Sequence, residues 1–397
     1  MSAQESRGGR GALVGAAFLM ATSAIGPGFL TQTAVFTGEL GASFGFAILA
    51  SIAIDLVAQL AIWRTILAAG RPAQDVANSV VPGLGTLLAL LVAFGGLAFN
   101  IGNLAGAGLG LEALLGLDPR LGAALSAGFA VSLFLSREAG RAMDRVAQAL
   151  GVLMLALMAW VAFSSGPPVG EALARSVMPE RIDPLAIVTI VGGTVGGYIT
   201  FAGAHRLQES GARGESGVAL ATRSALLGIG VASAMRALLF LAALGVVVGG
   251  VTIAAAANPA AAVFESAAGA SGRRLFGLVM WSAAITSVVG CAYTSVSFVR
   301  TLRPSFAGAT RPMLLAFVAL SAAIFLVVGK PVKVLVLAGA LNGLILPLGL
   351  AAMLLASRRS ALALPRMLEA LAWIVTLAMG AMGGVTLFRE LPKLVGS

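Results

Sequence analysis

Two glycine-rich interruptions lie inside long apolar stretches of this sequence, and their backbone groups are its first candidates for binding a ligand. One is Gly-Pro-Gly-Phe at residues 26–29, and the other is Gly-Gly-Thr-Val-Gly-Gly at residues 192–197. Glycine lowers helix propensity, and proline lacks the amide hydrogen that a continuing helix needs. Backbone groups left unpaired in hydrocarbon are tolerated only where protein or a water-filled cavity covers them. Both interruptions therefore predict the wall of a binding site inside a membrane.

The elements that must position these interruptions are membrane-spanning helices. The 397 residues are 59% hydrophobic and only 11% charged, whereas a soluble domain averages about 25% charged residues. A span needs about 20 apolar residues, and such stretches recur along the whole chain. They predict an all-α polytopic membrane protein with eleven spans, at 12–38, 44–69, 83–110, 119–136, 146–163, 184–208, 224–250, 275–299, 311–328, 332–356 and 364–387.

Charge and cysteine content narrow the class further. Lysine and arginine concentrate in the loops on the side of the N-terminus, which predicts a cytoplasmic N-terminus and an outer C-terminus in a bacterial inner membrane. The basic residues of these loops explain the net charge of +10, so the charge does not indicate that the protein binds nucleic acid. A single cysteine (Cys291) and a single histidine (His205) exclude a disulfide framework and a Cys/His metal cage. We expect no signal peptide, because no small-x-small cleavage site follows a short apolar core.

The two interruptions occupy corresponding places if spans 1–5 and 6–10 are repeats. The repeats would cover residues 12–163 and 184–356, with span 11 at 364–387 added. Paired interrupted spans are the best sequence indication of a transporter site near the bilayer midplane. The alternative is that the glycines let helices pack closely. We favour close packing for the span 3 glycines, which are Gly102, Gly106, Gly108 and Gly110.

Polar groups near the predicted breaks form the candidate substrate-binding set. A half-helix starting near Phe29 would turn free amides and the positive end of its dipole towards the site, which suits a carboxylate. Polar side chains within spans usually face the interior, although each could serve only as an interhelical hydrogen bond. The set is Gly26, Pro27, Gly28, Phe29, Thr31, Gln32, Asn100, Asn103, Thr194, Gly196, Gly197, Tyr198, Thr200, Thr286 and Asn342.

Four ionisable residues are candidates for ion coupling or ion pairing. Asp55 and Arg236 lie near the centres of spans 2 and 7, where an unpaired ion is costly, so we expect them to pair. The pair could be purely structural, or Asp55 could bind a coupled proton, or Arg236 could hold a substrate carboxylate. Glu39, at the outer end of span 1, could gate entry or simply be solvated. His205, at the inner end of span 6, is expected at the interface, and its near-neutral titration keeps a proton role open.

Eleven spans with breaks in spans 1 and 6 resemble the Nramp family of divalent-metal transporters, which has the leucine-transporter-type fold of 5+5 inverted repeats. Gly-Ala-Ala-Phe-Leu at 15–19 and then Gly-Pro-Gly-Phe at 26–29 line up with that family's Gly-Pro-Gly-Phe-Leu and Asp-Pro-Gly-Asn. Residues 193–198 line up with its Ala-Thr-Val-Met-Pro-His, and residues 286–294 and 342–347 resemble its helices 8 and 10. The resemblance implies secondary transport by alternating access, coupled to a proton, with sodium left open.

Departures from the family pattern change the expected substrate. Where the family has the metal ligands Asp, Asn and Met, this chain has Gly26, Phe29 and Gly196, and Tyr198 replaces the family's histidine. A dehydrated dication needs anionic or soft ligands, so we expect no metal site. We expect the glycines to open space for a small organic carboxylate or amino-acid-like solute, and the resemblance to relatives without the metal motif suggests 5-oxoproline. A proton-coupled importer of manganese, iron or magnesium is the alternative.

Other functional classes lack their sequence signatures. No Gly-rich phosphate loop followed by Lys and Ser/Thr is present, so the chain itself is not expected to hydrolyse ATP. An intramembrane enzyme would need paired aspartates, a Ser/His set or a His-Glu-x-x-His helix, and none is found. The paired breaks in spans 1 and 6 argue against a permease subunit that is driven by a separate ATPase. We predict a secondary transporter in a lipid bilayer, with no cofactor and no obligate protein partner.

Overall fold

The described part of the chain is helical and follows the predicted spans. The computed structural model describes residues 26–135, 137–254, 256–300, 308–358 and 364–390. The predicted first half of span 1, including residues 15–19, lies outside the described residues. In chain order the helices are α1 Pro27–Leu40, α2 Phe44–Ala69, α3 Ala73–Asn78, α4 Leu84–Leu115, α5 Pro119–Leu135, α6 Arg137–Ser164, α7 Val169–Val177, α8 Pro184–Thr194, α9 Gly197–Glu209, α10 Gly214–Val248, α11 Pro259–Arg300, α12 Thr310–Val328, α13 Pro331–Ser357 and α14 Arg366–Val385.

Helices occupy every predicted span from 2 to 11, which confirms the all-α polytopic fold. Within the described ranges, eight helical segments are long and apolar enough to cross a membrane, with Pro27–Ala69 counted as one segment. A ninth is added if Ala149–Ser164 and Val169–Val177, which meet at a bend of 104°, form one span. Span 2 was predicted at 44–69 and coincides with α2.

Three short helical pieces were not predicted. They are α3, α7 and the first part of α11, which a non-helical Gly269 (φ 61°) separates from the remainder of that helix. Each begins at a proline or directly after one, where the fixed φ of proline favours helix initiation. The prediction relied on apolar stretches long enough to span a bilayer, so short pieces at the ends of spans escaped it.

Helix α1 lies at the centre of the bundle. It packs against α4, α8, α10, α11 and α13, and every residue from Pro27 to Thr37 is buried. Gly26 has extended backbone (φ −85°, ψ −178°), and Pro27 takes the first helical position, where its missing amide hydrogen has no helical partner to lose. The structure therefore confirms that a membrane helix begins at the first interruption.

The second interruption separates α8 from α9 at Val195 and Gly196. The break was predicted, but the expected open space beside its glycines is wrong. A Cβ on Gly192 would overlap the carbonyl oxygen of Gly339, and one on Gly196 would lie 2.7 Å from Cβ of Asn342. Helix α13 fills the space, because glycines on both sides let the two backbones approach closely.

Other glycines pack as expected for close helix contacts. In α4, a Cβ on Gly106 would overlap the ring of Pro27, and one on Gly108 would overlap the carbonyl oxygen of Pro119. The close packing predicted for span 3 is thus confirmed at these positions. Gly106 in particular lets α4 reach the first residue of α1.

Replacing Gly343 of α13 with alanine should lower thermal stability. The new Cβ would overlap the backbone carbonyl oxygen of Val188, which cannot rotate away, and overpacking typically costs about 1–3 kcal/mol. Gly230→Ala is the matched control, since Gly230 is exposed on α10 with no heavy atom within 4 Å of the added Cβ. The apparent melting temperature in detergent should fall for Gly343→Ala and hold or rise for the control. Equal shifts would contradict the close contact.

Candidate functional site

The start of α1 is a helix N-terminus buried in the middle of the protein. Its N-cap residue, Gly26, supplies no side-chain hydrogen bond, and the first helical backbone bond runs from the amide of Leu30 to the carbonyl of Gly26. The amides of Gly28 and Phe29 therefore precede the intrahelical hydrogen bonds. The positive end of the helix dipole is at the same place.

The guanidinium of Arg236 adds a full positive charge to this region. Its Cζ lies 4.3 Å from the centroid of the Phe29 ring. Arg236 is only 3% exposed, and its Nε and Nη2 have no hydrogen-bond partner. Helical side chains lean towards the N-terminus of their helix, so the Phe29 ring, and Arg236 with it, lies towards the start of α1. The positive end of the α1 dipole and the guanidinium of Arg236 therefore lie in the same buried region.

Asp55 is the buried acidic neighbour of Arg236. It is 2% exposed on α2, which packs along α10, and its Oδ1 has no hydrogen-bond partner. The two side chains attract each other electrostatically, but no nitrogen–oxygen contact within 4.0 Å joins them. The predicted pair is therefore a longer-range interaction, because Arg236 is stacked on Phe29. Among the buried side chains of the described residues, these two alone are charged.

Gln32 is a buried amide in the second turn of α1. It is 1% exposed, and its Nε2 donates to the carbonyl oxygen of Leu335 on α13 at 2.8 Å. Its Oε1 has no hydrogen-bond partner. A Cβ on Gly28, one turn earlier in α1, would lie 3.4 Å from Nε2, so the amide extends back along the first turn of the helix.

The predicted residues around the second break complete its backbone hydrogen bonding. The Thr200 hydroxyl donates to the carbonyl oxygen of Val195, and Oδ1 of Asn342 accepts from the amide of Tyr198 at 3.1 Å. Thr194 donates to a carbonyl one turn earlier in α8. Side chains thus bind several of the backbone groups that the break exposes, as buried backbone groups require.

Other predicted residues divide into paired and unpaired groups. The Tyr198 hydroxyl donates to the Cys291 carbonyl oxygen at 3.4 Å, and Thr286 donates to carbonyls of its own helix. Asn100 donates to Ser321 of α12 at 3.1 Å. Buried atoms without a hydrogen-bond partner remain on three predicted residues, namely Oδ1 of Asn100, Nδ2 of Asn103 and Oγ1 of Thr31.

Glu39 and His205 lie at helix ends, outside this cluster. Glu39 is exposed near the end of α1, where Arg181 donates to its backbone carbonyl at 2.9 Å. Nε2 of His205 lies 2.7 Å from Oγ of Ser297 and 3.4 Å from Oε1 of Glu209. The gating and proton roles suggested for these two residues stay predictions.

The described residues contain no group of three or more His, Cys, Asp or Glu side chains that could hold a metal ion. Instead, the start of α1 gathers backbone amides, a guanidinium and an amide side chain, and hydrogen-bond donors outnumber acceptors in this set. Such a set can bind an anion.

Sequence reasoning placed Asn342 of α13 in the site but missed three further contacts from this helix. Leu335 binds Gln32, and Gly339 and Gly343 admit α8. The four-residue spacing of these two glycines is a known signal for close helix contact and could have indicated it. The hydrogen bond to Leu335 uses a backbone carbonyl, which no residue type reveals.

Comparison with known proteins places the chain in a family. Residues 17–389 match the family model described as natural resistance-associated macrophage protein-like, or Nramp. The chain is 52% identical over 386 residues to the membrane protein YcsG of Bacillus subtilis, covering 96% of this chain and 95% of that protein. It is 53% identical over 382 residues to a membrane protein of Haemophilus influenzae, covering 95% and 96% of the two chains.

Solved structures agree with this assignment at the level of the fold. The manganese transporter of Eremococcus coleocola has a TM-score of 0.67 at 17% identity, over 96% of this chain and 89% of that one. MhsT in complex with L-phenylalanine has a TM-score of 0.64 at 16% identity, over 94% and 97% of the two chains. The shared fold is the leucine-transporter type. The protein therefore belongs to the Nramp family of membrane transporters.

Proposed function

We propose that this protein is a secondary transporter of a small organic carboxylate, which binds between the start of α1 and Arg236. The observation that carries the proposal is the buried guanidinium, which has two unpaired nitrogens and stacks on the third residue of a helix whose N-cap residue is glycine. Within this class, the family resemblance points to 5-oxoproline. Transport would proceed across a bacterial inner membrane, with inverted repeats at 12–163 and 184–356 exchanging access to the site.

Electrostatics support an anion over a metal ion. A carboxylate can accept two parallel hydrogen bonds from a guanidinium, and such charge-assisted bonds are among the strongest in proteins. A dication at the same place would be repelled by Arg236 and by the positive end of α1. The nearest acidic side chain, Asp55, is a single carboxylate, and a metal site needs more ligands than that.

Charge balance supports coupling to a proton. Asp55 and Arg236 together carry no net charge, and they are the only charges among the buried side chains of the described residues. A bound carboxylate would leave one net negative charge in a medium where an uncompensated ion is costly. Protonation of Asp55 restores neutrality and leaves the positive charge of Arg236 to balance the substrate carboxylate. We therefore include one co-transported proton, held by Asp55, in the proposal.

Arg236 can be tested by uptake into proteoliposomes. Arg236→Met should reduce uptake of the transported acid at least about tenfold, because hydrogen bonds to charged groups contribute about 1.5–3 kcal/mol. Arg223→Gln is the control, because Arg223 is an exposed arginine on the same helix. The screen should include 5-oxoproline, other small monocarboxylates and Mn²⁺. Undiminished acid uptake by Arg236→Met, or saturable Mn²⁺ uptake with none of the acids, would overturn the proposal.

If Asp55 carries the coupled proton, a variant at this position should lose proton-driven uptake but keep the exchange of substrate across the membrane. In wild-type proteoliposomes, an inward proton gradient should drive uptake of the acid. Asp55→Asn mimics the protonated carboxyl, so it should lose the response to the gradient while retaining exchange of internal for external acid. Glu39→Gln, at the exposed end of α1, serves as the carboxylate control and should keep the response. If Asp55→Asn still accumulates substrate against a gradient when driven by protons, Asp55 is not the coupling site.

A further inference from the structure

The side chain of Gln32 occupies a slot lined by glycines from three helices. A Cβ on Gly193, in the last turn of α8, would lie 2.6 Å from Oε1. A Cβ on Gly339 of α13 would overlap Nε2, and one on Gly28 of α1 would lie 3.4 Å from it. The three positions thus leave room for a polar amide in the centre of an apolar bundle. Apolar packing does not require such an arrangement.

The orientation of the amide in this slot is fixed by one hydrogen bond. Nε2 donates to the carbonyl oxygen of Leu335 at 2.8 Å, whereas a reversed amide would set two acceptor oxygens against each other. Oε1 consequently faces Gly193, buried and without a hydrogen-bond partner. A buried acceptor left unpaired is destabilising, and buried polar atoms in native proteins are nearly always paired. Oε1 of Gln32 is therefore available to accept a hydrogen bond from a ligand.

The unpaired oxygen belongs to the same site as the carboxylate. Gln32 follows Gly28 by one helical turn, and its amide extends along that turn towards the helix start. The amides of Gly28 and Phe29 and the guanidinium of Arg236 surround the same end of α1. A molecule whose carboxylate binds there would bring its adjacent atoms towards Gln32.

We infer that the transported acid carries an N–H or O–H donor close to its carboxylate, and that Gln32 selects it by accepting that hydrogen bond through Oε1. The inference rests on the proposed function and deepens it, because it narrows small carboxylates to those with a neighbouring donor. A site built to bind a substrate donor discriminates strongly against analogues that lack it, since its own polar atom is then left unpaired. Gln32 is thus a specificity-determining residue.

Matched pairs of acids test the inference on the full-length purified protein by isothermal titration calorimetry. The pairs are lactate with propionate, and 5-oxoproline with cyclopentanecarboxylate. In each pair the first acid has a donor near the carboxylate and the second does not. For the wild type, at least one donor acid should bind about tenfold or more tightly than its partner. This comparison needs no variant, so it does not depend on the folding of a mutant.

Two variants assign the discrimination to Gln32. Gln32→Met keeps the length of the side chain but removes Oε1, and it should bring the two acids of the pair to within about threefold of each other. Gly193→Ala keeps Gln32 but pushes a methyl group against Oε1, and it should weaken the donor acid selectively. Thr37→Val is the control, because Thr37 is a buried threonine of α1 whose hydroxyl bonds its own helix. It should leave the ratio unchanged.

The outcomes separate this inference from the proposed function. Equal binding within both pairs, or full discrimination by Gln32→Met, overturns the role of Gln32 while leaving carboxylate binding at Arg236 intact. If none of the four acids binds, or if Arg236→Met binds them as the wild type does, the proposed function fails and the inference fails with it.

Discussion

The structure depends on one electrostatic constraint, which is a helix that begins in the interior of a membrane protein beside a buried arginine. The N-cap residue of α1 is glycine, and Arg236 lies on Phe29 without an ion partner in contact among the described residues. Unpaired donors and a buried charge without a close counter-ion are unfavourable in a medium of low dielectric constant. The surrounding helices hold these groups in place, and a bound anion would satisfy them. Binding of the substrate would then pair these donors and balance the charge of Arg236 in one step.

At the second break, side chains of the described residues bind backbone groups of the interrupted helices. Asn342 accepts from the amide of Tyr198, and Thr200 donates to the carbonyl of Val195. The protein thereby completes that break internally, and the glycines beside it admit α13. At the first break, the N-cap residue of α1 is Gly26, which has no side chain to accept a hydrogen bond from the first helical amides.

Membrane chemistry made most of the fold predictable from sequence. A span must be long and apolar, so the limits of α2 could be predicted to the residue and both breaks could be located. The short helix α7 could not be predicted in this way, because it is too short to be recognised as a membrane span. Family resemblance also pointed correctly to the Nramp fold.

The site was predicted less completely than the fold, because the sequence does not reveal how helices pack beside a glycine or how side chains are oriented. Glycine removes a Cβ, but the sequence does not say whether a cavity or another backbone takes its place, and beside Gly192 the backbone of α13 does so. Asp55 and Arg236 were expected to form an ion pair, and the structure buries both without a nitrogen–oxygen contact within 4.0 Å. The sequence could not show that the guanidinium would stack on Phe29 and leave two nitrogens unpaired. Those nitrogens, and the oxygen of Gln32, depend on side-chain orientation alone.

The central claim is that the start of α1 and Arg236 recognise a negative charge on an organic molecule. Calorimetric titration of the purified protein with the best-bound acid, its uncharged carboxamide and Mn²⁺ tests this most directly. We predict that the acid binds at least about tenfold more tightly than the carboxamide, since the pair differs by one charge-assisted contact, and that Mn²⁺ does not compete. Equal affinity for acid and carboxamide, or tight Mn²⁺ binding that the acid does not require, would contradict the account.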